Sequence, residues 1–175
     1  GERVLDLCAA PGGKATALGA ALRGKGVLVA NDISNARAKA LLKNLELFGI
    51  SNAFVTNEIP GKLAESFEGF FDKVLVDAPC SGEGMFRKDP AVIKTWEEDR
   101  PAYFAKLQKD ILKNAVKMLR PGGELLYSTC TFAPEEDEGS VHRFLARHPD
   151  CQIAEGIDSA GFVRDKEGCI RLFPH

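Results

Sequence analysis

A chain of 175 residues is long enough to bury one sizeable core, and 45% hydrophobic with 27% charged residues is an ordinary balance for a globular domain. Five cysteines, without a CxxC pair or a histidine spacing suited to zinc, exclude a disulfide framework and a zinc site, so free thiols in a reducing cytoplasm are expected. A net charge of −2 excludes a uniformly basic nucleic-acid binder, and no apolar run has the length of a membrane span or the pattern of a signal peptide.

The chain opens directly on a strand, Val4–Cys8, and is therefore read as a fragment of a longer protein. Four more apolar runs follow as strands: Val27–Asp32, Ala53–Thr56, Lys73–Asp77 and Glu124–Cys130. Helical patterns separate or follow them at Ala15–Arg23, Asn35–Phe48, Pro101–Leu119 and Pro134–Arg147, with Gly24, Gly49 and Pro121-Gly122-Gly123 as stop signals. Continuous apolar strands alternating with helices predict a parallel sheet covered by helices on both faces, an α/β domain of the Rossmann type. Beyond Pro149 the pattern weakens. Cys151–Ala154 and Cys169–Phe173 are short strand candidates, and the sheet is expected to be incomplete at its C-terminal end.

Open α/β sheets bind ligands beyond the carboxyl ends of their strands. The unusual residues gather there: Gly12-Gly13 after the first strand, Asp32 after the second, Asn57 and Glu58 after the third, Asp77 to Cys80 after the fourth, and Cys130 after the fifth. The first loop, Cys8-Ala9-Ala10-Pro11-Gly12-Gly13-Lys14, is built of small residues that let a ligand approach the backbone. The helix after it offers unpaired N–H groups to a carboxylate. The loop is neither GxGxxG nor a P-loop, which disfavours a dinucleotide. Asp32 lies about 20 residues beyond the glycines, where an acid accepts hydrogen bonds from ribose hydroxyls; its other reading is a cap for the next helix, which Ser34 would serve equally well.

The run Asp77-Ala78-Pro79-Cys80-Ser81-Gly82-Glu83-Gly84 reads as a shaped, exposed loop, a poor place for a cysteine that merely fills space. Cys130 sits at a strand tip before a helix with Pro134 near its first position, and Glu135–Glu138 read as acids complementing that helix dipole. A thiol near a helix N-terminus can ionise more readily. Two cysteines at adjacent strand tips leave a redox pair open as well. Arg87 and Lys88 are candidates for phosphate contacts. Lys106, Lys109, Lys113, Lys117 and Arg120 recur at helical spacing and read as a solvated face. Trp96 reads as a packing residue ahead of one that stacks on a base, His142 and His148 as surface or boundary residues, and Cys151 and Cys169 as structural or incidental.

At LDLCAAPGGK (5–14), ND (31–32), VDAPCSGEGMFRKDP (76–90), LRPGGELLYSTCTFAPEEDE (119–138) and RLFPH (171–175), the chain resembles the Sun-domain (NSUN and RsmF-type) RNA 5-methylcytosine methyltransferases. The run EGMFRKDP is similar to the bacterial small-subunit ribosomal RNA branch. The resemblance implies a class I methyltransferase core over residues 1–175, with S-adenosyl-L-methionine as cofactor, RNA as partner, no metal, a cytoplasmic location and a monomer. It assigns Cys8, Ala9, Ala10, Pro11, Gly12, Gly13 and Lys14 to the methionine part of the cofactor, Asp32 to the ribose with Arg37 nearby, and Asp77 to both cofactor and target base. The family's adenine-binding Asp after the third strand is missing; Asn57 or Glu58 stands in its place.

By the same resemblance Cys130 is the nucleophile and Cys80 the group that helps release the product, with Lys14 assisting. Carbon 5 of cytosine is a poor nucleophile, and a thiolate adding to carbon 6 would activate it. The Pro-Cys dipeptide of DNA cytosine methyltransferases points to Cys80 instead, and Thr129-Cys130 turns the reading to the RNA class. The rivals are transfer-RNA methylation, a non-catalytic cofactor-binding RNA scaffold, and a nicotinamide-dependent dehydrogenase.

Overall fold

A computed structural model describes residues 1–154, 163–164 and 168–171. The chain order is β1 (Glu2–Asp6), α1 (Gly13–Leu22), β2 (Gly26–Asn31), α2 (Asn35–Leu47), β3 (Ala53–Thr56), α3 (Pro60–Ser66) and β4 (Phe71–Asp77). A 3-10 turn (Glu83–Met85), α4 (Pro90–Lys94), α5 (Arg100–Met118), β5 (Leu119–Ser128), α6 (Glu138–Leu145), β6 (Val163–Arg164) and β7 (Ile170–Arg171) complete it. Two compact units result: residues 1–79 with 110–128, and residues 80–109 with 129–175.

The first unit holds a five-stranded sheet in the order β3-β2-β1-β4-β5, every pair parallel. Consecutive residues of the central strands are buried, among them Val4 and Leu5, Leu28 to Ala30, and Val74 to Val76. Since successive side chains of a strand point to opposite faces, both faces of the sheet are covered, as the apolar runs predict. One face carries the cluster of Val4, Leu28, Ala30, Ala15, Leu41 and Leu45 under α1 and α2. The sheet's first β–α turn is fixed by glycine. Gly12 adopts φ +115, and a Cβ there would lie 3.1 Å from Leu41 Cδ1. Gly12→Ala is expected to destabilise the fold by about 1–2 kcal/mol, read as a lower urea midpoint.

Several element boundaries differ from the sequence reading. Pro121-Gly122-Gly123 does not merely stop a helix, because these residues lie inside β5, where the pairing with β4 shifts register between Phe71 and Lys73. That shift absorbs the proline, which could not serve an uninterrupted ladder. Asp72 anchors the region: it accepts from the Arg3 backbone N–H at 2.7 Å and from Arg120 Nε at 2.5 Å. Arg120 thus belongs to an ion pair and leaves the basic stripe, whose lysines are exposed. The short helices α3 and α4 went unpredicted.

In the second unit, α6 starts at Glu138 rather than near Pro134, and residues 134–137 form a turn. Of the acids expected to face the helix dipole, only Glu138 lies in the first turn. Cys151–Ala154 form no strand. The C-terminal candidate is partly a strand, since Ile170–Arg171 pairs antiparallel with Val163–Arg164. Leu172 to His175, the rest of the RLFPH motif, lie outside the described residues. Arg171 pairs with Asp137 at 3.7 Å and with Glu138.

Candidate functional site

In the first unit, a cleft of about 310 Å³ opens where β1 runs into α1. Its lining is Asp6, Cys8, Ala9, Ala10, Pro11, Gly13, Lys14 and Asp77. The volume is at the lower end for small-molecule sites. Three features of the fold hold this loop open. Asn44 of α2 donates to the Pro11 carbonyl at 2.7 Å, Arg37 donates to the Ala10 carbonyl at 2.5 Å, and the Ala10 N–H reaches Asp32 Oδ2 at 3.3 Å.

Lys14 Nζ donates to Asp77 Oδ2 at 2.7 Å, and Ser128 Oγ donates to Asp77 Oδ1 at 2.8 Å. The Lys14–Asp77 pair is substantially exposed, so its energy is small and its value is in orientation. Asp6 is different. It is fully buried, and among the described residues neither carboxylate oxygen has a hydrogen-bond partner. Burial and the nearby Asp77 carboxylate push its pKa up to about 7, against the pull of Lys14 and the Cys8 amide. Cys8 shares the cleft, and burial with the surrounding carboxylates pushes its thiol up to about 12, which leaves it a poor nucleophile.

Asp32, Arg37 and Asn57 do not line this cleft. Asp32 is 2% exposed and serves the loop around it, accepting from Ser34 N–H at 2.9 Å as well as from Ala10. Ser34 occupies the N-cap of α2 without a side-chain capping bond, so the capping reading belongs partly to Asp32. Arg37 stands 3.5 Å from Asp32 and balances its charge. Asn57 donates to the Asp32 carbonyl at 2.8 Å and accepts from Asn35, whereas the Glu58 carboxylate is half exposed beside Lys62.

The second unit brings Cys80 and Cys130 together. Their sulfurs are 3.1 Å apart, and the Cys130 N–H points at Cys80 Sγ from 3.3 Å. Cys80 is half-buried and Cys130 exposed. The sulfur–sulfur hydrogen bond and burial push the Cys80 thiol far above its ordinary range. Cys130 lies two residues past β5 and well ahead of α6, so the expected helix N-terminus does not adjoin it in the chain.

The loop after Cys80 is not the exposed loop expected from its glycines. Ser81 and Gly82 are buried. Ser81 Oγ touches Glu83 Oε2 at 2.7 Å, Thr131 Oγ1 at 2.9 Å and Glu136 Oε1. Gln108 Nε2 donates to Glu136 Oε2 at 2.7 Å, and the Gly84 N–H donates to the Cys130 carbonyl at 2.9 Å. Trp96 donates to Glu83 at 3.1 Å and packs against Phe86, the packing role expected of it. Asp6, Ser128, Ser81, Glu83 and Glu136 were not singled out by sequence. For Asp6 a signal existed: a lone carboxylate inside an otherwise apolar strand.

A family model described as 16S rRNA methyltransferase RsmB/F matches residues 1–175. The chain belongs to this family. It is 38% identical over 177 residues to ribosomal RNA small subunit methyltransferase F of Pectobacterium carotovorum, and 39% identical over 181 residues to the protein of that name from Vibrio vulnificus. Each alignment covers 99% of the chain, which spans only 37% to 38% of those relatives. Among solved structures, the protein PH0851 superposes with a TM-score of 0.93 at 34% identity, over 99% of this chain and 39% of that one. NSun6 from Pyrococcus horikoshii, crystallised with SFG, superposes with a TM-score of 0.79 at 32% identity, over 94% of this chain and 40% of that one. The Rossmann-like methyltransferase fold and the Sun-domain resemblance read from the motifs are thereby borne out.

Among the described residues no helix is long and apolar enough to cross a membrane, and no cluster of three or more His, Cys, Asp or Glu is arranged to hold a metal.

Proposed function

We propose that the protein methylates carbon 5 of a cytosine in RNA, its substrate being small-subunit ribosomal RNA in the cytoplasm. The observation that carries this reading is the pair of thiols 3.1 Å apart, one half-buried, the other exposed. Membership of a ribosomal RNA methyltransferase family supports the substrate class.

The methyl donor is S-adenosyl-L-methionine, which supplies an electrophilic sulfonium methyl when bound. The cleft fits such a group. Asp6 offers an orphaned buried carboxylate, Asp77 a second, and a cationic ligand satisfies both. Ala9, Ala10 and Gly13 leave the backbone accessible, and the first turn of α1 offers N–H groups to an amino-acid carboxylate. The same two acids oppose a pyrophosphate, which disfavours a nicotinamide dinucleotide. Asp32, with Arg37 balancing its charge, is proposed for the ribose, and Asn57 or Glu58 for the adenine edge.

Cys130, as thiolate, adds to carbon 6 of the cytosine and makes carbon 5 nucleophilic. Asp77, held by Lys14 and Ser128, accepts from the exocyclic amine, and from the ring N3 once N3 takes up a proton as charge develops. Once carbon 5 carries its methyl, its proton passes to water, the electron pair of that C–H bond restores the 5,6 double bond, and the carbon–sulfur bond breaks to return Cys130 as thiolate. Cys80 assists that release, directly or through water.

The test is calorimetric binding with the full-length protein, followed by methylation of bacterial small-subunit RNA read by bisulfite sequencing. S-adenosylhomocysteine should bind and oxidised nicotinamide dinucleotide should not. Binding without methylation of either ribosomal or transfer RNA would convert the reading to a scaffold; methylation of transfer RNA alone would move the substrate.

A further inference from the structure

Ser81 follows Cys80 in the chain and Thr131 follows Cys130, and these two neighbours are themselves hydrogen-bonded at 2.9 Å. The thiol pair thus stands on a second pair of contacts between the same two loops. Glu136 and Glu83 close that clasp. The Ser81 hydroxyl touches a carboxylate oxygen of each, Glu83 Oε2 at 2.7 Å and Glu136 Oε1. Thr131 Oγ1 also meets Glu83 Oε2.

A hydroxyl carries one proton. Ser81 can donate it to Glu83 or to Glu136, but not to both. With both carboxylates ionised, one of the two contacts sets a charged lone pair against a neutral one. A proton on Glu136 satisfies one contact more: Glu136 donates to Ser81, Thr131 donates to Glu83, and Ser81 donates to either Glu83 or Thr131.

The other donors agree with this placement. Glu83 accepts from Trp96 Nε1 and is partly exposed, circumstances that suit the ionised form. Glu136 is fully buried, and its second oxygen accepts from Gln108 and from the Ser81 N–H, as a neutral acid's carbonyl does. Gln108 is oriented for this because its own oxygen accepts from Ser140 at 3.3 Å. Burial raises the Glu136 carboxyl above the ordinary carboxylate range; burial also lifts Glu83, but the Thr131 and Ser81 hydroxyls outweigh it and leave Glu83 below that range.

We infer that Glu136 is a positioning residue of the two-thiol site, kept neutral by a proton it shares with Ser81, and that it sets where Cys80 stands against Cys130. The inference rests on the proposed reaction for its catalytic meaning, while its geometric content stands apart from it.

The experiment uses the full-length protein in three forms: wild type, Glu136→Ala and Glu136→Gln. Glutamine reproduces the neutral acid's pattern, an oxygen toward Gln108 and an N–H donor toward Ser81. Three readouts are taken: the rate of Cys80–Cys130 disulfide formation when oxidised glutathione accepts the two electrons and two protons, the kcat and cofactor KM for methylation, and the infrared band of a protonated carboxyl at neutral pH. Glu136→Ala should slow disulfide formation, lower kcat by about 100-fold through misplacement, and leave cofactor KM unchanged. Glu136→Gln should restore both rates toward wild type. The infrared band should be weaker in Glu136→Gln than in wild type by one carboxyl, the Asp6 contribution remaining in both.

A Glu136→Gln protein as slow as Glu136→Ala, or a wild-type band no stronger than that of Glu136→Gln, means the carboxylate is ionised and overturns the inference. Disulfide formation indifferent to Glu136→Ala overturns the positioning role. If Glu136→Ala does not fold, the band and the Glu136→Gln rates still decide. If the cytosine mechanism itself fails, methylation is lost in wild type while the disulfide rates and the band remain readable.

Discussion

Cys130→Ala is expected to abolish methylation, with a loss of about 10³-fold or more, while Cys80→Ala is expected to accumulate a covalent RNA–protein adduct. Both variants should bind S-adenosylhomocysteine as wild type does, because neither thiol lines the cleft proposed for the cofactor. The physical ground is the inequality of the two sulfurs. The cysteine that attacks carbon 6 must be accessible and deprotonated; the one that helps product release must hold or relay a proton. Cys130 is exposed, and Cys80 is half-buried against it with its thiol pushed above the ordinary range. Removing Cys80 therefore spares the attack and impairs the release.

The check is a denaturing gel of each variant after incubation with cofactor and small-subunit RNA. The adduct of Cys80→Ala should vanish when Cys130→Ala is added to it. An adduct that appears only in Cys130→Ala reverses the two roles and restores the Pro-Cys assignment of the DNA enzymes. The alternative of a dedicated redox pair also becomes testable on these variants, since a redox pair predicts no RNA adduct in any of them.

Much of the fold was legible because its strands are buried on both faces and therefore write themselves as unbroken apolar runs. Val27–Asp32 and Lys73–Asp77 correspond closely to β2 and β4 for that reason. Short helices such as α3, seven residues long, carry too few turns for a periodic signal. The site was legible wherever a residue type is chemically conspicuous, as with Cys80, Cys130 and the Gly12-Gly13 loop. It was illegible where the same residue type has an ordinary use. Glu136 sits in a run of four acids that reads as decoration of a helix start, yet it is buried and holds a loop fifty-five positions away. No local pattern distinguishes it from Glu135. The polar partners of Ser81 became visible only when residues distant in the chain were placed side by side.

Asp6 is expected to make the folded protein less stable as pH rises. In the unfolded chain its carboxyl titrates near 3.8, in the folded protein near 7, because burial and Asp77 disfavour the charge. Between those values the folded state holds a proton that the unfolded state lacks, so stability falls as pH rises from about 4 to about 7. Above that window the full penalty is present, at most about 4 kcal/mol. Asp6→Asn removes the titration. Urea unfolding should therefore find the variant more stable than wild type at pH 8 by up to that amount, with the difference shrinking toward pH 5. A difference independent of pH between 5 and 8 would show that Asp6 does not hold the proton.

The same residue then explains why the fold retains so costly a group. A cation placed in the cleft favours the ionised carboxylate, so cofactor binding should expel the Asp6 proton. Calorimetry at pH 6 in buffers of different ionisation enthalpy should register nearly one proton released per cofactor bound, decreasing toward pH 8. Asp6→Asn should lose both the proton release and much of the affinity. Stability and cofactor binding would thereby pull in opposite directions on one carboxylate, which is the pattern expected of a binding group and not of a structural one.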